Sequence, residues 1–262
     1  WMPSLAGDSE PLASAFVFTV NYGAIWFLML AFLETYPVLG GHVGFAPLVS
    51  GAGLAMVGVG GVLAASQRQL GRLMGYGALI DSGVALVALG MGSQRGLALA
   101  LLSLLLRPFG LALMGTGVKG LGTGNGHDVN LERLRGLGWR SPWSACAFVV
   151  GGLSIAGLPV SAGFAGRWAL YRALGPSSLT SVLTMMGASI GLMVGVWRVL
   201  PALLSRSQRS SAAAESPGEA DSWPRATVVL VGMIATVAMG LAPQLVASTA
   251  ARLAGLYTFL AP

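Results

Sequence analysis

LSIAGLPVSAGFAGRWALYR, running from Leu153 to Arg172, is an apolar stretch ill suited to remain one straight helix. It holds Gly157, Pro159, Gly163 and Gly166. Pro159 has no backbone N–H and clashes with the turn before it. The glycines loosen what remains. The pattern predicts a membrane helix that breaks near its middle. Non-helical backbone at membrane depth is tolerated only where it is buried in protein or lines a water-filled cavity. Arg167 follows the break at once. An interrupted helix beside an ionisable residue is a common way to build an ion pathway. A plainer arrangement of the same residues is a helix, a short loop and a surface helix whose Arg167 snorkels to the headgroups.

The rest of the chain has the matching composition. Of its 262 residues, 55% are hydrophobic and only 9% are charged, against about 25% charged in soluble domains. This is an all-α, polytopic membrane protein. Its 39 glycines suit close helix–helix contact in lipid. Cys146 stands alone, so no intrachain disulfide forms and no metal cluster is suggested. The net charge of +6 fits loop arginines facing anionic lipid. No basic run is interleaved with aromatics, so nucleic acid is not an expected partner. The chain opens on Trp1 rather than Met and reads as part of a longer polypeptide.

A crossing helix needs about 20 apolar residues, and seven regions qualify: 12–36, 43–66, 73–92, 96–118, 143–172 (the interrupted one), 177–204 and 226–258. Alternating them places the N-terminus on one side with the loops near 67–72, 119–142 and 205–225. Those loops hold Arg68, Arg72, Lys119, Arg133, Arg135, Arg140, Arg206, Arg209 and Arg225. The opposite side has Arg95 and Arg252. The positive-inside bias therefore predicts a cytoplasmic N-terminus in a bacterial-type inner membrane and a C-terminus on the far side. All 262 residues read as one transmembrane domain, with 205–225 a flexible loop and LERLRGLGWRSP a short helical turn along the membrane.

Two charges fall inside spans. Asp81 lies about 10 residues before the end of its span, Arg107 about 11 residues into the next, and at 1.5 Å per residue both sit roughly 15 Å deep. Intramembrane charges face the bundle interior and pair, so an Asp81–Arg107 pair or a water-linked relay is expected. Pro108, next to Arg107, loosens that helix. A purely structural ion pair between two helices is the alternative. Asn21 is the deepest polar residue of the first span, where a lone Asn is usually interhelical glue. Glu34 closes that span and reads as interfacial. No nucleophile–base set, Cys/His metal spacing or phosphate loop appears. GTGNG at 122–126 has no strand before it, so it is no dinucleotide site.

Four stretches together resemble the antiporter-like membrane subunits of respiratory complex I (the L, M and N types) and their Mrp antiporter and membrane-bound hydrogenase relatives. Trp1-Met2-Pro3 through Ser14-Ala15 is similar to that family's W-L-P-x-A…P-x-S-A loop. QRQLGRLMGYGALIDSGVAL resembles its Q-x-D-x-K-R-x-x-A-Y segment, with Arg72 and Tyr76 matching. LERLRGLGWRSPWSA resembles its L-x-x-L-x-G-L loop. LSIAGLPVSAGFAGRWAL resembles the L-S-L-A-G-(I/L)-P-x-x-x-G-F-x-(G/S)-K stretch of its discontinuous helix.

The resemblance implies a bundle of about seven spans, corresponding to the C-terminal half of a fourteen-helix subunit and holding the second of two inverted repeats. It implies a proton path through Asn21, Tyr76, Asp81, Arg107 and Arg167, beside a helix break at Gly157, Pro159 and Gly163. The family's lysines fall at Asn21, at or next to Arg107, and at Arg167. Asn carries no proton, and Arg does not release one. Asp81 is then the one plausible mid-membrane carrier, with the arginines as its electrostatic partners. The resemblance implies a membrane-arm subunit of a complex I-like assembly, binding no cofactor itself. Its partners would be other membrane subunits of the assembly and lipid, with the redox cofactors in partner subunits. A non-conducting structural subunit is a second reading. A third is part of a cation/proton or inorganic-carbon transporter completed by another chain.

Overall fold

The computed structural model describes residues 1–122, 131–205, 223–257 and Phe259, without the side chains of residues 132 and 133. Most of the 205–225 loop and most of GTGNG lie outside the described residues. Among those described, every regular element is helical. Two short helices, α1 (Met2–Asp8) and α2 (Pro11–Phe16), lead into a π-turn (Val17–Asn21) and α3 (Tyr22–Thr35). The single turn α4 (Pro37–Gly40) precedes the hairpin α5 (Phe45–Ser66) and α6 (Leu70–Leu89), and α7 (Gln94–Leu121) follows. After a 3₁₀ turn (Leu131–Leu134) and α8 (Leu137–Arg140) come α9 (Pro142–Ala156), α10 (Ala162–Leu174), α11 (Leu179–Leu204), α12 (Trp223–Leu241) and α13 (Gln244–Ala254).

Among the described residues, six segments are long and apolar enough to cross a membrane: Pro11–Thr35, Phe45–Ser66, Leu70–Leu89, Gln94–Leu121, Leu179–Leu204 and Trp223–Leu241. The 15-residue α9 is a shorter apolar helix. The protein is integral to the membrane. Its outward faces carry large apolar side chains, among them Leu28, Val62, Ile190 and Val231, where a soluble protein would place charge.

Helix α6 is enclosed along most of its length. It packs on α5, α7 and α1. Small residues permit the approach of α1. A Cβ on Gly71 would lie 2.1 Å from the Ala6 carbonyl oxygen, and one on Gly75 would lie 2.5 Å from Pro3 Cα. Exposed ion pairs flank the same region, Arg72 with Asp8 at 4.0 Å and Lys119 with Glu10 at 2.6 Å.

Residues 142–174 form two helices joined by 157–161. Helix α9 closes with the two reciprocal bonds of a Schellman turn: Leu158 N–H donates to Leu153 C=O and Gly157 N–H to Ser154 C=O, both at 3.0 Å. Gly157 takes the left-handed conformation this turn needs, φ +81°. Pro159 follows two residues later and cannot continue the helix. Val160 is held at φ +73°, and α10 begins at Ala162.

The 226–258 region, expected as a span long enough to tilt or to end in an interfacial turn, divides at Ala242–Pro243 into α12 and α13. Pro243 has no N–H for a continuing ladder. Helix α13 packs instead along α7, and Gln94 donates from Nε2 to the Ala254 carbonyl.

Candidate functional site

Near the middle of α6, Asp81 faces two arginines from different elements. Arg107 of α7 brings its Nε within 3.5 Å of Asp81 Oδ2. Arg167 of α10 brings an Nη2 within 3.9 Å of Oδ1. Both arginines are almost wholly enclosed, with side chains 2% and 4% exposed. A buried carboxylate between two guanidiniums is stable only if further hydrogen bonds satisfy the remaining donors.

Those bonds come from neighbouring helices. Arg107 Nη2 donates to the Ala78 carbonyl and to Ser82 Oγ, one turn apart on α6. The ring of Tyr22, at the start of α3, lies 4.4 Å from the Arg107 Cζ and offers its face to the cation. Arg167 Nη1 donates to Ser189 Oγ on α11 at 2.6 Å. Its Nη2 donates to Ile155 C=O at 2.6 Å. That carbonyl belongs to the last turn of α9, where helical carbonyls lack partners of their own. The Arg167 stem lies directly on the glycine of the connector: a Cβ on Gly157 would sit 2.5 Å from Arg167 Cδ.

The cluster lines a small cavity. Water-molecule centres have about 20 Å³ of room there, bounded by Asp81, Ser103, Arg107, Ser154, Gly163, Gly166 and Arg167 with apolar neighbours. One water needs about 10–15 Å³. Asp81 Oδ2 and the Nε and Nη1 of Arg107 are buried without a hydrogen-bond partner. The site therefore brings donors, an acceptor and room for a small polar guest to one place within the bundle.

Residues 1–193 match the NADH:quinone oxidoreductase/Mrp antiporter transmembrane family. The chain belongs to that family. A curated relative, NADH-quinone oxidoreductase subunit N of Salinispora arenicola, is 27% identical over 253 residues, which is 93% of this chain and 47% of the relative. The chain spans about half the length of the curated relatives it matches. In fold it resembles a chain of the Mrp complex from Dietzia sp. (TM-score 0.83, 15% identity, 98% of this chain and 55% of that one). It also resembles a chain of an archaeal membrane-bound sulfane sulfur reductase (TM-score 0.84, 18% identity, 100% and 53%).

Of the site residues expected in this antiporter-family chain, Asp81, Arg107 and Arg167 meet at one cavity, and Gly163 lines it. Gly157 lies in the connector against the Arg167 stem, and Pro159, two residues on, is exposed. Tyr76 is half-buried against apolar side chains and does not line the cavity. Asn21 does not line it either: it is exposed at the end of the π-turn, and its neighbour Tyr22 meets Arg107 instead. A π-turn carries an extra residue, which rotates the helix face by one position. Ser82, Ser103, Ser189 and Tyr22 were missed by sequence reasoning. Their signal is faint: hydroxyls on otherwise apolar helices, of which only Ser82 and Ser103 lie within about a turn of a charge on the same helix. Glu34, read as interfacial, accepts from Phe259 N–H at 3.2 Å.

Proposed function

We propose that this chain is a membrane-arm subunit of a complex I-like assembly and contributes to proton translocation through the cavity at Asp81. One observation carries the reading. A single carboxylate and two arginines from three separate elements converge on a water-sized space beside the α9–α10 interruption. On this reading α9 and α10 are one interrupted crossing, and the connector supplies backbone groups to a polar path. Asp81 takes up and releases the proton. Arg107 and Arg167 hold their charge and set the field around it. Family membership and the likeness to chains of multisubunit membrane complexes support other membrane subunits as partners. The redox cofactors belong to other subunits of the assembly, and lipid covers the outward apolar faces. The distribution of loop cations supports a cytoplasmic N-terminus in a bacterial-type inner membrane.

The test is proton uptake by vesicles holding the intact assembly, driven by its own electron donor and read with a pH-sensitive dye. Asp81→Asn is expected to abolish the share of uptake carried by this subunit while leaving assembly intact. Wild-type uptake by Asp81→Asn overturns the relay. One observation favours a second reading, a structural subunit: Arg167 donates to Ile155 and Ser189 and pairs with Asp81, as helix glue would. Unchanged uptake with poorer assembly in Asp81→Asn is the outcome that supports it.

A further inference from the structure

The charges at the cavity do not cancel. Arg107 and Arg167 bring two positive charges that persist at every relevant pH, and Asp81 brings one negative charge. Among the described residues no other acid lines the space. An isolated excess charge inside a bundle is costly unless something compensates it. The unpartnered groups point the same way. Arg107 Nη1 is a buried N–H donor with no hydrogen-bond acceptor, and its Nε faces Asp81 Oδ2 at 3.5 Å without a hydrogen bond. Gly163 and Gly166, from the first turns of the 13-residue α10, form part of the wall, and a helix N-terminus favours negative charge. The one opposing group is Asp81 Oδ2, also without a hydrogen-bond partner. For a guest in this space, two guanidinium attractions outweigh one carboxylate repulsion.

We infer that the cavity between Arg107 and Arg167 is a binding site for a small monovalent anion of the halide class. The space accepts a water-sized guest, and monatomic halides are the smallest common anions. A bound anion would bring the net charge of the cluster to zero while Asp81 is ionised. The inference stands apart from proton movement, because anion binding is measurable in a protein that conducts nothing.

The test uses the purified full chain in lipid nanodiscs. Thermal unfolding is followed in sodium chloride, sodium bromide and sodium gluconate at equal ionic strength, and radiolabelled chloride binding is measured by equilibrium dialysis. The expected result is saturable stabilisation by both halides and a single chloride bound per chain. Asp81→Asn, which removes the repelling charge, is expected to tighten chloride binding by about tenfold. Arg107→Gln is expected to abolish it. Should that variant fail to fold, the wild-type and Asp81→Asn isotherms still decide. Superimposed unfolding curves in halide and gluconate overturn the site, and so does an affinity that Asp81→Asn leaves unchanged. A chloride site with failed proton uptake removes only the relay, and proton uptake without halide binding removes only this inference.

Discussion

Arg167 donates a 2.6 Å hydrogen bond to the carbonyl of Ile155, a residue on the helix before its own. The side chain thus folds back over the connector and closes the end of α9 from outside. It contacts Gly157 on the way, reaches Ser189 with Nη1, and brings the Nη2 that donates to Ile155 within 3.9 Å of Asp81. One arginine ties together α6, α9, α10 and α11.

Removing it leaves buried acceptors and a half-compensated carboxylate. Arg167→Leu is expected to cost about 3–5 kcal/mol, the range for breaking a buried pair by deleting one partner. Arg167→Lys keeps the charge but not the fork geometry and should fall between. Thermal unfolding in micelles checks the order. Wild-type melting of Arg167→Leu would show that the bond to Ile155 contributes no stability.

The Asp81–Arg107 contact should be energetically coupled. In a cycle of Asp81→Asn, Arg107→Gln and the double variant, a coupling of about 1–3 kcal/mol is expected. The double variant should be less destabilised than the sum of the two singles. Simple additivity would mean that the 3.5 Å approach carries no coupling.

Gly157→Ala places a side chain where φ is +81° and where its Cβ meets Arg167 Cδ at 2.5 Å. The left-handed conformation alone costs about 1–2 kcal/mol for such a residue, and displacement of Arg167 adds to it. Gly187→Ala on α11 is the control: nothing lies within 4 Å of its Cβ. It should stabilise by up to about 1 kcal/mol through helix propensity. Equal melting shifts for the two variants would contradict the geometry.

At the N-terminal helix, packing should matter and charge should not. Arg72 and Asp8 are 4.0 Å apart and 47% and 70% exposed, so Asp8→Asn should change stability by less than about 0.5 kcal/mol. Gly71→Val drives a side chain into the Ala6 carbonyl and should detach α1. Hydrogen exchange over residues 2–8 reports the difference. Protection that survives in Gly71→Val would refute the tight contact.

Much of the site was legible because a helix rises by a fixed amount per residue. Counting from span ends puts Asp81 and Arg107 at one depth, and the structure brings them together. Pro159 with its glycines announces where helical structure stops, but not that Gly157 and Val160 both take positive φ. Asn21 shows the limit of counting. The π-turn at Val17–Asn21 slips the register by one, so Tyr22 arrives where a 3.6-residue period places its neighbour. Pro243 went unweighted because the residues around it stay largely apolar, and hydropathy does not register a missing N–H. The serines are hidden for a different reason. A small hydroxyl on an apolar helix looks like packing filler until the guanidinium it serves is seen beside it.

The arrangement of two arginines around one acid has a consequence for stoichiometry. A guanidinium keeps its proton under all physiological conditions, so only the carboxylate of this trio has two valence states. On the proposed proton path, a turnover that loads this centre would move one elementary charge and never two, and its voltage dependence would carry the signature of a single step.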